Sequence, residues 1–231
     1  MSEIVWDRTG EHFYETGVDH GVLYKYVEAD PEVTGDTAGF KNGVAWNGLT
    51  AVNESPSGAE PTALWADNIK YLNLISAEEY AATIEAYTYP DEFEECDGSK
   101  KLGDMNGVYV GQQPRALFAI CYRTLTGSDT SPAGVDPSDY KLHIVYNCTA
   151  SPSERAHATV NDSPEAATMS WEISTTPVEV TGMKPTASLT IDAKKVGSTK
   201  MAALNAILFG DATHDPRLPY PNEIATILAA A

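Results

Sequence analysis

The chain has few cations for its length. Its 231 residues include 15 Lys and Arg against 33 Asp and Glu, a formal net charge of −18. Proteins that bind nucleic acid normally use Lys and Arg to displace counterions from the phosphates. We therefore expect this surface to repel nucleic acid rather than bind it.

Cysteine and long apolar runs are also scarce. The three cysteines, Cys96, Cys121 and Cys148, are odd in number and far apart, which argues against a disulfide framework. Cys121 and Cys148 lie in apolar segments, where a free cysteine behaves as a small core residue. No run approaches about 18 apolar residues, so no membrane contact is predicted. The N-terminus lacks the regions of a signal peptide, and we expect synthesis in the cytoplasm.

The short motifs of known catalytic and cofactor sites are missing. The sequence contains no G-x-S-x-G, P-loop, H-E-x-x-H, C-x-x-C or G-x-G-x-x-G. The histidines have no ligand-like spacing, and His143 alternates with Leu142 and Ile144, which is typical of a surface or interface position. A triad can converge from distant positions, although nothing here favours one. We predict no catalytic site, no metal site and no cofactor.

Most of the chain instead has the pattern of β-strands. Thr168 to Thr175 alternates with Met169, Trp171 and Ile173 on one side, and Thr186 to Asp192 repeats this pattern. Further strands are predicted at Gly21 to Val27, Gly43 to Leu49, Leu64 to Ile75, Thr83 to Tyr89, Arg115 to Thr124 and Tyr140 to Cys148. The expected fold is mainly β, an antiparallel β-sandwich or open barrel with one flanking α-helix.

The flanking helix is predicted from Thr199 to Phe209. Ser198 can cap it, Met201, Leu204 and Leu208 form an apolar stripe, and Gly210 ends it. A shorter helix is expected after Pro90, with Gly98 at its end, and another after Asn222.

A long polar segment from Thr50 to Thr62 has turn chemistry throughout, and we predict a loop there. Trp46 and Trp65 flank it. Aromatic side chains beside a long loop are costly to leave in water, which suggests that the loop docks on a partner. The alternative is that both tryptophans pack on their own domain.

Three blocks of sequence carry a family resemblance. They are GVAWNGLTAVNESPSGAEPTALWADNIKY (Gly43 to Tyr71), IEAYTYPDEFEECDG (Ile84 to Gly98) and the run from Tyr140 to Val196. Together they resemble the major tail tube protein of long-tailed, non-contractile bacteriophages. The resemblance covers nearly the whole chain and is weakest at residues 1–19 and beyond Gly210.

The resemblance implies a structural virion protein of the phage tail tube fold, synthesised in the host cytoplasm. Such proteins form hexameric rings that stack into a tube, with long arms and loops tying one ring to the next. The implied partners are other copies of the chain, a tape-measure protein, a tail terminator and baseplate proteins. Genome DNA passes through the lumen without specific binding. The implied division is an N-terminal arm (1–20), a β-sandwich (21–210) and a C-terminal extension (211–231).

Two groups of residues are assigned on this basis. Subunit or ring contacts are predicted for the long loop and its flanks, at Trp46, Asn47, Leu49, Asn53, Glu54 and Trp65. Lumen-facing positions are predicted on hydroxyl-rich acidic faces, at Glu85, Glu172 and Asp192, because acids repel phosphate. A different class of function is a carbohydrate-binding or adhesin sandwich that uses Trp6, Trp46 and Trp65 as sugar platforms. A third is a hydrolase on a β scaffold.

Overall fold

A computed structural model describes residues 4–32, 37–103, 105–157, 159, 162 and 166–231. The strands in this part of the chain are β1 (Phe13–Val27), β2 (Gly39–Trp46), β3 (Leu49–Glu54), β4 (Ser57–Gly58), β5 (Pro61–Ala66), β6 (Ile69–Ile75), β7 (Glu78–Glu79), β8 (Ala81–Ala86), β9 (Lys100–Lys101), β10 (Tyr109–Val110), β11 (Phe118–Ser128), β12 (Tyr140–Ala150), β13 (Met169–Thr175), β14 (Ser188–Asp192) and β15 (Arg217–Leu218). The helices are α1 (Ala193–Val196), α2 (Ser198–Phe209) and α3 (Pro221–Ala230), with a 3₁₀ turn at Asp91–Phe93.

One large antiparallel sheet organises the domain. Its strands lie in the order β15-β2-β1-β11-β12-β13-β8-β3, and β14 also pairs with β12. The sheet rolls over, so that β3 approaches β1. The close approach is visible at Gly21, where an added Cβ would lie 2.2 Å from Leu49 Cδ1. The predicted mainly β, antiparallel fold is confirmed, and within the described residues the sheet does not close into a barrel.

The two faces of the central strands bury two separate cores. The helix-side core packs side chains such as Tyr24, Leu142 and Tyr146 against Leu204 and Leu208 of α2. The inner core lies within the roll and joins β1, β11 and β12 to β8 and β13; its large members include Trp46, Phe93, Phe118, Ile120 and Trp171. Alternation from Phe118 to Tyr122 along β11 supplies the two cores in turn.

Several sequence predictions are confirmed. Trp171 and Ile173 of β13 are buried, as are Ala187 and Ile191 beside or within β14. The stripe of α2 is buried in the helix-side core. All the cysteines are free and buried. The helix predicted after Pro90 is only a 3₁₀ turn followed by further turns.

Two predictions about residues 50–75 are wrong. Leu64 to Ile75 is not one strand but the hairpin β5–β6, which reverses at Asp67 and Asn68. The predicted loop from Thr50 to Thr62 is largely strand, because β3 pairs with β8 and β4 pairs with β7. The pairing is interrupted around Pro56, where the residues are short and polar. These residues give the stretch a composition typical of a turn.

The predicted ends of the sandwich do not coincide with the ends of its elements. Strand β1 begins at Phe13, inside the predicted N-terminal arm. Within residues 211–231, β15 pairs with β2 and α3 buries Ile224 in the helix-side core. No helix in the described part of the chain is long and apolar enough to cross a membrane.

Candidate assembly surface: a long β-ribbon arm

Residues 49–86 form a long antiparallel hairpin, here called the arm, which is two-stranded beyond its base, where β8 also pairs with β13. Its base pairs β3 with β8, its middle pairs β4 with β7, and its end pairs β5 with β6. Hydrogen bonds such as Ser55 N–H to Ala81 O (2.8 Å) continue the ribbon between these pairs. At about 3.3 Å per residue, the ribbon from Glu54 to Ala66 is about 40 Å long.

The arm ends in a tight turn at Asp67 and Asn68. Both residues have positive φ, 51° and 64°. A two-residue hairpin loop of type I′ requires positive φ at both central positions, and Asp and Asn are among the residues that tolerate it. The turn therefore sets the register that pairs Ala66 with Ile69.

Both faces of the outer arm expose apolar side chains. Cross-strand pairing places Leu64, Leu72 and Leu74 on one face with Thr62. The opposite face carries Trp65, Tyr71 and Ile75, which are 71%, 67% and 69% exposed. Monomeric soluble proteins rarely leave patches of this size in water. Within the described residues, both apolar faces of the outer arm are therefore left open to solvent.

The base of the arm is held to the body by polar contacts. Tyr122 donates a hydrogen bond of 2.8 Å to Glu54 Oε1. Burial raises the pKa of the Tyr122 hydroxyl, which keeps it protonated as the donor. Its ring stacks on His143, with centroids 4.9 Å apart. Glu15 and Glu54 lie 3.3 and 3.8 Å from the two nitrogens of that imidazole.

The structure separates the predicted contact residues into two groups. Asn53, Glu54 and Trp65 lie along the arm, and Asn47 is exposed in the turn between β2 and β3. Trp46 does not belong with them. It is 2% exposed, lies 4.6 Å from Phe93 between ring centroids, and donates its indole N–H to Thr88 O.

Trp46 is therefore a core side chain with almost no surface left for a partner, and its assignment to an interface is corrected. Leu49 is half-buried against the inner core, beside Gly21. Of the three proposed sugar platforms, Trp6 and Trp65 are exposed, whereas Trp46 is not.

The predicted lumen residues do not share one surface. Glu85 pairs with Ser170 and Glu172 pairs with Thr83, so both carboxylates point away from the inner core on the outside of the roll. Asn53 of β3 joins this face and donates to Glu85 Oε1 at 3.2 Å. We call this surface, formed by Asn53, Thr83, Glu85, Ser170 and Glu172, the acidic face.

Asp192 lies elsewhere. It pairs with Lys141 on β12, on the side of the sheet that carries His143. Its carboxylate accepts the Lys195 N–H at 3.1 Å and so caps α1. Its grouping with Glu85 and Glu172 is corrected, because Asp192 is a helix cap rather than part of an open acidic wall.

Among the described residues, no group of three or more His, Cys, Asp or Glu side chains is arranged to hold a metal ion. No protein-family model matches the sequence, and no curated protein matches it either. The chain is similar to one in a solved structure, the six-fold symmetrised cryo-EM structure of the anti-feeding prophage baseplate. The two are 7% identical, with 83% of this chain and 99% of that chain covered and a TM-score of 0.35. At that TM-score the similarity carries no argument, so the function is inferred from this chain's own surfaces.

Proposed function

We propose that the protein is a structural, self-assembling subunit that polymerises through its arm. The observation that carries this proposal is the outer arm, which is apolar on both faces and exposed on both. The arm is also well formed, with a paired backbone and a defined turn, so it is ready to insert between two surfaces without ordering first. Preorganised segments bind with a smaller entropic cost.

The assembly that fits best is the tail tube of a long-tailed, non-contractile bacteriophage. Six copies would form a ring, and the arms would join stacked rings into a hollow tube. The resemblance of the sequence blocks described above supports this choice, together with the antiparallel roll and its flanking helix. The partners would then be a tape-measure protein, a tail terminator and the baseplate, and genome DNA would pass through the tube into the host.

The acidic face fits the wall of such a lumen. Glu85 and Glu172 lie among Ser, Thr and Asn side chains, and none of the residues that define the face is Lys or Arg. Phosphate is repelled by carboxylates, and every cation on the path would bind it. We propose that this face lines the channel.

The arm is tested by shortening it. Residues 62–74 are replaced by Asn-Gly, which joins Pro61 to Ile75 through a favoured hairpin turn. A deletion of residues 52–61 would be unsuitable, because Val52 packs against the inner core. The shortened protein should remain a folded monomer by circular dichroism and sedimentation, and it should form no rings or tubes in negative-stain images.

A matched pair of substitutions serves as the control. Leu72→Ser and Leu74→Ser should weaken assembly, whereas Thr62→Ser on the same face should not. Normal tubes from the shortened protein would overturn the proposed function.

A further inference from the structure

A second, smaller hairpin runs from Lys100 to Val110, and we call it the second hairpin. β9 and β10 pair Lys101 with Tyr109 and Lys100 with Val110, and Leu102 N–H donates to Val108 O at 2.9 Å. It is fixed to the body on both sides, through Gln113 N–H to Gly98 O and Ala116 N–H to Glu95 O. Asn106-Gly107, a dipeptide typical of hairpin turns, lies inside it.

The two faces of the second hairpin differ. The pairing places Lys100, Leu102, Val108 and Val110 together, and all four are exposed. Lys101 and Tyr109 point the other way, into a cleft lined by Asp91, Glu92, Glu94 and Glu95. One face is therefore apolar with a single cation, and the other already has acids beside its lysine.

The arm has the complementary chemistry. Its apolar outer part adjoins acids in its middle and base, and between residues 49 and 86 the sequence has six acids and one cation, Lys70. Lys100 is exposed to solvent, so its charge is available to a partner. Opposite charges beside matching apolar surfaces favour one docking partner over others.

We infer that the face formed by Lys100, Leu102, Val108 and Val110 is the docking site for the leucine face of the arm from a second copy of the chain. This inference rests on the proposed function and names the acceptor for the arm. The two surfaces are different parts of the same chain, so the contact is head-to-tail. Head-to-tail contacts propagate into rings or open filaments, whereas a two-fold contact stops at a dimer.

Engineered disulfides test the contact directly. The full-length double variant Leu72→Cys/Val108→Cys is allowed to assemble and is then oxidised. The native thiols are buried, and burial raises the pKa of Cys96 to about 12, so they should not compete. We expect a ladder of covalent oligomers on a non-reducing gel. The control is Leu72→Cys/Met183→Cys, because Met183 is even more exposed than Val108 (77% against 41%) but lies on another surface, beside α3.

The same samples are imaged by negative-stain electron microscopy. The images test whether the protein polymerises, and the gel tests where the arm docks. Tubes without a Leu72–Val108 ladder, or with an equal ladder in the control, would overturn this inference while the proposed function stands. Particles that stay monomeric at high concentration would overturn both.

Charge reversal gives an independent readout. Lys100→Glu should reduce the assembled fraction about tenfold at low salt, since it places like charges across the contact. Lys101→Glu makes the same change on the opposite face of the same strand and should have little effect. Equal effects of the two substitutions, or none from Lys100→Glu, would contradict the assignment.

Discussion

Arg123 holds Asp19 at an irregular point of β1 through two hydrogen bonds of 2.9 and 3.0 Å. These bonds lower the pKa of Asp19 below its ordinary value. A carboxyl group whose pKa is lower in the folded state stabilises the fold above the unfolded value, about 3.9, and loses that contribution as the pH falls through the folded value.

We therefore predict that Asp19→Asn lowers the free energy of unfolding at pH 7. The difference from the parent protein should shrink below about pH 4 and vanish in stronger acid. Chemical denaturation at several pH values measures it, with the exposed Asp215→Asn as the control. A difference that is independent of pH would show that the ion pair does not contribute in this way.

Trp46 and Trp65 flank the same stretch of sequence but have opposite environments. Trp46→Ala should cost about 3–5 kcal/mol of stability, because it empties part of the inner core. Trp65→Ala should change stability by less than about 0.5 kcal/mol yet reduce assembly. Denaturation curves and sedimentation of the two variants separate these effects. A large loss of stability for Trp65→Ala would place that side chain in a core.

At the scale of elements, α2 is held by its buried stripe. Leu204 is 0% exposed and packs in the helix-side core. Leu204→Ala should cost about 2–5 kcal/mol in a two-state unfolding assay of the monomer. Ala202→Ser, on the exposed side of the same helix, should stay within about 0.5 kcal/mol. Similar values for both would mean that the helix does not pack as described.

Elements with a clear period could be predicted from the sequence. The alternation of β13 and the stripe of α2 each place one side in a core, and the structure confirms both. The arm could not be predicted in the same way. Its outer strands, β5 and β6, are covered on neither face by the described residues, so apolar residues such as Leu72 and Tyr71 follow one another instead of alternating with polar ones.

The wrong prediction of a loop at residues 50–62 has a different origin. Pairing between β3 and β8 depends on a partner about thirty residues away, which local composition does not reveal. The one local signal was Asp67-Asn68, since two residues that tolerate positive φ between apolar segments are typical of a hairpin turn. The burial of Trp46 depends on Phe93 and Trp171, which are far from it in sequence.

At the scale of the whole molecule, the uneven charge favours the proposed channel. Residues 1–113 contain 6 of the cations and 21 of the acids, and one of these acids, Glu85, lies with Glu172 on the outside of the roll. Phage particles carrying Glu85→Lys and Glu172→Lys should assemble tails but eject DNA more slowly. The delay should be greatest at low salt, because the Debye length is only about 8 Å at physiological ionic strength.

The control particles carry Glu154→Lys and Asp215→Lys. These substitutions make the same change of charge at exposed positions outside the acidic face. If particles with Glu85→Lys and Glu172→Lys ejected DNA at the parent rate at every salt concentration, the assignment of the acidic face to the lumen would be contradicted.

We propose that the protein polymerises through its arm into a hollow assembly. Averaged electron micrographs of the purified protein at high concentration test it most directly. We expect six-fold rings or tubes with a central hole, in which density for the arm bridges neighbouring copies. Monodisperse particles of a single chain, with the arm projecting into solvent at every concentration, would contradict it.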